Sequence, residues 1–382
     1  MNCAYLDWNA TAPPLPGALD VMDRTARERW ANPASVHGPG RHARESLEAS
    51  RSTIARWLLA DPNDIVFTSG GTEANNLALR SLCPQDTTLI TSRIEHPSVT
   101  RVAEDMMRTG RPVLWIPVLP SGTVDVAALE SALASSAPAC VAVQAVNHET
   151  GVIQPIAEVI RCCKRAGARL HVDAVQAAGK IPVETWRGAD TIAVAAHKIG
   201  GPKGIGLLLS GSCGNLQPLL LGGSQEGGIR PGTVSPVLAA GFAFAGEWAI
   251  DGPNRYASLR SLRDTLEREL VALGGLVNGT ADRVPHVVNV SFSCAAGDEL
   301  VAALDLEGVA VSSGSACSAG TVDRSTVILA MLNDDRAAGA VRMSLGDRTE
   351  TAEVQAAIAA WKRVIGRAGT MDEVLVEVLP SV

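Results

Sequence analysis

Between residues 64 and 210 the chain repeats one pattern: a short β-branched or aliphatic run, then a longer stretch with apolar residues at helical spacing. The runs predict seven strands, DIVFTS (64–69), TTLITS (87–92), RPVLWIPV (111–118), ACVAVQAV (139–146), RLHVDAV (169–175), DTIAVAA (190–196) and GIGLLLS (204–210). Between them, EANNLALRSL and PSVTRVAEDMMRT carry the helical period. Such alternation predicts an α/β fold with a large, mostly parallel sheet and helices on both faces. Near residue 250 the character changes. GPNRYASLRSLRDTLERELVALGG reads as one long helix, and PHVVNVSF (285–292) and AVRMSL (340–345) read as strands of a smaller α/β domain. The expected division is 15–250 for the large domain, and 1–14 plus 251–382 for the small one.

A chain of 382 residues, 46% of them hydrophobic, has the apolar content for two cores. Its net charge of −7, with lysine and arginine scattered, argues against direct nucleic-acid binding. No apolar run approaches the ~18 residues of a membrane span. MNCAYLDWNATAPP has no basic stretch followed by an apolar one, so a cytoplasmic protein is expected. The eight cysteines form no C-x-x-C pair, and no HExxH is present, which predicts free thiols and no metal. Cys162 and Cys163, in AEVIRCCKRAG, are expected on a helix with one thiol packed and one exposed.

In open α/β sheets, ligands gather at the carboxyl ends of the strands. The strand DIVFTS runs into GGTEANN, where Gly71 and Thr72 open a helix whose N–H groups and dipole suit an anion. For that piece alone, an ordinary turn capped by the threonine is the simpler reading. Other strand ends bring His96, then Asn147, His148 and Glu149, then Asp173 and Gln176, and finally His197 and Lys198. Nucleotide fingerprints are absent. An anion site, imidazoles, an acid and a lysine on one edge match the needs of pyridoxal 5′-phosphate (PLP): a lysine for its Schiff base, an acid for its pyridine nitrogen and a cradle for its phosphate. Lys180 and Lys203 read as solvated surface lysines. Lys198, between an apolar strand and GGPKG, does not, and burial there would lower its pKa. One further stretch, VSSGSACSAG (311–320), reads as a loop and sets Cys317 among residues that cannot pack around a thiol.

Taken in order, YLDWNATAP, FTSGGTEANN, HVDAVQAAGK, AHKIGGPKGIG and SSGSACSAG resemble the cysteine desulfurases, class V members of the fold-type I PLP-dependent transferases. The S-G-S-A-C loop is similar to that of the housekeeping and nitrogen-fixation branch. The resemblance runs from about residue 5 to about residue 350. It implies that Lys198 carries PLP, Asp173 pairs with the pyridine nitrogen and Gln176 bonds the phenolic oxygen. It also implies that His96 stacks on the ring and handles protons, and that Gly71, Thr72 and His197 hold the phosphate, with Thr233 reaching in from the second subunit of a homodimer. Arg342, helped by Asn32, would grip the carboxylate of L-cysteine. Cys317 would take the substrate sulfur as a persulfide, leaving alanine, and pass it to an acceptor protein of iron–sulfur cluster assembly or another thiolation.

The pattern departs from the family at three places. Ala195 stands where a phosphate-binding serine is common, a loss of about 1 kcal/mol. His148 stands where many relatives have an asparagine touching the cofactor, so that either His148 or Asn147 makes the contact. Gly227 replaces a frequent basic residue. Rival readings are a selenocysteine lyase or class V aminotransferase on the same scaffold, and a degenerate scaffold that binds sulfur-carrier proteins.

Overall fold

The computed structural model describes residues 3–211, 216–314 and 324–377, with the side chains of the last segment described to residue 367. After β1 (Ala4–Tyr5) come β2 (Ile65–Thr68), β3 (Thr88–Ser92), β4 (Val113–Ile116), β5 (Ala139–Gln144), β6 (Arg169–Asp173), β7 (Thr191–Ala195) and β8 (Gly206–Leu209). β2 to β8 form one sheet in the order β2-β8-β7-β6-β5-β3-β4. Only β8 runs antiparallel, against both β2 and β7. All six residues of β5 are buried, as expected where helices cover both faces. Each predicted strand is present, one to four residues shorter than its apolar run.

The remaining strands are β9 (Leu276–Val277), β10 (Val287–Ser291), β11 (Val309–Ala310) and β12 (Ala340–Ser344). β12, β10 and β9 make a three-stranded antiparallel sheet. A separate core forms beside it from Leu266, Leu270, Val290, Leu304 and Trp361, and Ala4 and Leu6 belong to that core. The N-terminal segment is tied in by the parallel pairing of β1 with β11. It then crosses to the large sheet, where Ala12 N donates to His197 O (2.9 Å) and Leu15 N to Gly200 O (2.9 Å).

Three sequence expectations are corrected. The long helix after residue 250 is two helices, Gly252–Ala257 and Arg260–Ala272. Between them Leu259 N turns back to Tyr256 O, a tightened turn that breaks the axis. Cys162 and Cys163 are both buried, because helix Val126–Ser135 brings Glu130 over the first thiol. Lys180 is not on the surface at all; it is 2% exposed, inside the polar centre described next.

Candidate active site

The carboxyl ends of β2, β3, β5, β6 and β7 open on a cavity of about 200 Å³. It is lined by ten of the residues singled out in the sequence: Gly71, Thr72, His96, His148, Asp173, Gln176, Ala195, His197, Lys198 and Arg342. Asn32 and Thr233 line a second groove of the same chain instead. Asn147 is buried behind the wall. Its Nδ2 donates to Ile94 O, and its Oδ1 accepts from the N–H groups of Glu149 and Thr150. Of the two neighbours, His148 is the one that faces the cavity. Cys317 lies outside the described residues.

Helix Gly71–Leu82 starts at Gly70, whose φ of 154° is open to glycine alone. The cap therefore has no side chain to accept the first helical N–H groups, and Thr72 sits inside the first turn rather than capping it. Those donors remain for an anion. Next to them stands His197, whose Nδ1 pairs with Thr11 Oγ1 (3.2 Å); burial and Lys198 lower its pKa to about 4. Lys198, in the turn directly after β7, donates from Nζ to Asn9 O (2.6 Å) and Ala10 O (2.9 Å).

Across the cavity, both oxygens of Asp173 are held. Oδ1 accepts from Val175 N (2.9 Å) and Oδ2 from Asn75 Nδ2 (2.7 Å). Asn75 Nδ2 also donates to Ser98 Oγ (2.8 Å), while Asn75 Oδ1 takes the Nε2–H of His171 (2.9 Å). The other ring nitrogen of His171 then accepts from Thr191 Oγ1 (2.9 Å), and burial lowers this imidazole's pKa to about 4. Ser98 passes its own proton to His96 Nδ1 (2.7 Å), which also accepts from Ser98 N (3.1 Å). Nε2 of His96 is therefore its protonated nitrogen in the neutral ring. Burial, opposed by Asp173, holds that ring below the usual histidine range. His148 stands edge-on to it at 5.5 Å and is held neutral by burial and by the cations around it.

Arg342, in β12, is buried and links the two sheets. Its Nη1 donates to His148 O (3.0 Å) and its Nη2 to Asp7 Oδ1 (2.6 Å), while its buried Nε has no hydrogen-bond partner. The sequence reading did not find the residue at the centre, Asn9. Its carbonyl accepts from both Gln176 Nε2 (2.9 Å) and Lys198 Nζ, its Nδ2 donates to His148 O, and its N donates to Ser344 Oγ. The YLDWNATAP motif contained the signal, a polar residue four positions after the end of β1, but nothing in it says that the segment crosses the sheet edge.

A parallel sheet with a lysine, a clamped carboxylate and an uncapped helix start at one edge defines the class of fold-type I PLP-dependent transferases. Residues 4–357 match the Aminotransferase class-V family. The chain is 38% identical over 365 residues to a cysteine desulfurase of Cereibacter sphaeroides, covering 93% of each chain. It is 37% identical to an IscS-like cysteine desulfurase of Mycobacterium tuberculosis, covering 96% of this chain and 97% of the other. The X-ray structure of a NifS-like protein from Rickettsia africae superposes with a TM-score of 0.86 at 30% identity, covering 95% of this chain and 99% of that one. The chain belongs to the class-V aminotransferase family, in its cysteine desulfurase branch.

The residues fit PLP. A lysine, a carboxylate held by donors, a flat imidazole and an uncapped helix start converge on one cavity, and these are the groups that cofactor requires.

Proposed function

We propose that this chain is a PLP-dependent L-cysteine desulfurase that stores the released sulfur as a persulfide on Cys317. The observation that carries the reading is the convergence of Lys198, Asp173, Gln176, His96 and Arg342 on one cavity. Lys198 would hold the cofactor and Asp173 its ring nitrogen, with Gln176 at the phenolic oxygen. Gly71, Thr72 and His197 would hold the phosphate. His148, on the cavity wall, would make the contact for which Asn147 was the alternative. When bound, PLP supplies an electron sink that weakens bonds at the α and β carbons of the amino acid.

The protein's own groups do the rest. Arg342 has a buried Nε without a partner and sits beside the cavity, so it would bind the substrate carboxylate. Lys198 would carry the α-proton, and His96, neutral by burial, would give and take protons through Nε2. The Cys317 thiolate attacks the substrate sulfur; the Cβ–S bond breaks, the S–S bond forms and Cβ gains a proton. Cysteine plus thiol becomes alanine plus persulfide, balanced without an external oxidant.

Asn32 and Thr233 lie together in the second groove, so a homodimer in which Thr233 serves the partner's cavity accounts for the family role of Thr233. The smaller core, drawn only from residues 4–6 and 256–364, supports a small domain of 1–14 plus 251–382 beside a large one of 15–250. Val284, Val287, Val327 and Ile328 pack from the small domain into the larger core. No helix among the described residues is long and apolar enough to cross a membrane. We place the enzyme in the reducing cytoplasm, delivering sulfur to an acceptor protein of iron–sulfur assembly or another thiolation. The relatives' names favour neither the aminotransferase nor the cofactor-free scaffold. The test is release of alanine and sulfide from L-cysteine and a reductant. Wild type yields them in equal amounts and Cys317→Ala yields neither; a Cys317→Ala variant as active as wild type would refute the persulfide.

A further inference from the structure

Lys180 sits one turn beyond Gln176, where water does not reach. Its Nζ donates to Gln176 Oε1 (2.6 Å) and to Asn9 Oδ1 (3.4 Å), the latter shared with His286 Nε2. Among the described residues it has no carboxylate partner. The charged and titratable groups around it are Lys198, Arg342, His197 and His286. Burial, with the two cations adding to it, holds its pKa well below the usual lysine range.

A buried lysine with neither water nor a counter-charge is costly, and an apolar side chain of the same length would stabilise the fold better. What lysine supplies here is chemical: its Nζ carries hydrogens to donate in either protonation state, three when charged and two when neutral. The atom that Gln176 turns toward Lys180 is its oxygen, which accepts from Nζ while Nε2 donates to Asn9 O. Its NH₂ is left facing Asn9 O and the cavity, with one N–H on the carbonyl and a second to offer. Without that neighbour the buried oxygen loses its 2.6 Å donor, and only the single bond to Asn9 O is left to hold the amide in place.

We propose that Lys180 is a positioning residue that locks the Gln176 side chain as a hydrogen-bond donor toward the phenolic oxygen of the cofactor. The inference rests on the reading of this cavity as the PLP site. A donor at that oxygen stabilises the phenolate most when the neighbouring imine nitrogen has lost its proton, and so lowers the pH at which that proton leaves. Losing the lock removes the donor and raises that pH.

The readout is the pH midpoint of the visible absorption change of the PLP-loaded protein, without substrate. Gln176→Leu is expected to raise the midpoint by about one pH unit. Lys180→Met is expected to raise it in the same direction, and the double variant to stand where Gln176→Leu stands alone. Lys180→Gln, which keeps a polar head but can accept as well as donate, is expected to shift it too, and serves if the methionine variant does not fold. An unshifted midpoint in the Lys180 variants overturns the proposal, since a merely structural role predicts that result. An equal added shift in the Gln176→Leu background also overturns it, because Lys180 would then act by charge and not through Gln176. If the wild type shows no visible absorption that Lys198→Ala lacks, the PLP reading itself fails and takes this inference with it.

Discussion

At the scale of single residues, the site is a set of reactive groups held by polar neighbours that do no chemistry. Arg342 reaches the cavity from the smaller sheet, and its guanidinium is fixed by Asp7 and by the carbonyl of His148. Replacing it by glutamine removes a charge-assisted pair with the substrate carboxylate, a loss of about 2–3 kcal/mol. Steady-state rates on L-cysteine are expected to show KM raised by about 30- to 150-fold with kcat changed far less, because the carboxylate is bound alike before and during reaction. A fall in kcat at unchanged KM would place Arg342 elsewhere in the mechanism. The groups that meet the ligand were legible in the sequence because each follows an apolar strand: His96 after β3, Asp173 at the end of β6, Lys198 just past β7. The groups that hold them were not. Asn75, Ser98 and Lys180 lie on helices or turns, where one polar residue faces water and the next faces the core, and only the packing decides which. Lys180 was misread for that reason.

At the scale of elements, β2 is the edge of the large sheet, and a single clasp covers it. Arg51, from helix Gly38–Leu58, donates from Nη1 to Ile65 O (2.8 Å), while Glu226 accepts from Phe67 N (2.8 Å). The two side chains meet through two bonds of 2.7 and 2.9 Å, and the guanidinium lies over the Phe67 ring. The carboxylate retains 3% of its exposure, and Glu226 takes a left-handed φ of 49° to reach it. The outward backbone groups of an edge strand are thereby satisfied within the chain. Arg51→Met strands the buried carboxylate and is expected to lower the unfolding free energy in urea by about 3–5 kcal/mol. Adding Glu226→Gln should recover part of that; a cost unchanged by the second substitution would show that packing, not the pair, matters. Most strands of this sheet could be read from the sequence because burial on both faces writes unbroken apolar runs, and edge strand β4 is as apolar although Leu114 is exposed. Helices Pro16–Glu28 and Gly38–Leu58 escaped that reading, their apolar faces interrupted by serine and arginine. So did β1, β9 and β11, two residues each, which pair only because the chain returns to them.

At the scale of the whole molecule, the polar centre ties stability to pH. Burial depresses the pKa of five histidines, His96, His148, His171, His197 and His286, with His171 and His197 brought to about 4. The unfolded chain takes up these protons near pH 6.5, whereas the folded protein refuses them until about pH 4 at His171 and His197. Stability is therefore full above 6.5 and falls as the pH drops from there toward 4. Glu95 works in the opposite sense. Burial raises its carboxyl from 4.5 to about 8, so the folded state keeps a proton that the unfolded state sheds, and stability falls as the pH rises from 4.5 to 8. The two contributions overlap between pH 5 and 7, and single substitutions separate them. His171 can be replaced by asparagine, which also offers a donor to Asn75 and an acceptor to Thr191. In that variant the drop in unfolding free energy between pH 7 and pH 5 should be smaller than in wild type by about 2 kcal/mol. In Glu95→Gln the drop should instead grow by a similar amount, about 2–3 kcal/mol, because the group that favours the folded state at low pH is gone. Urea unfolding at the two pH values decides both. A drop that neither substitution changes would mean that these buried groups titrate alike in the folded and unfolded chain, contrary to their burial.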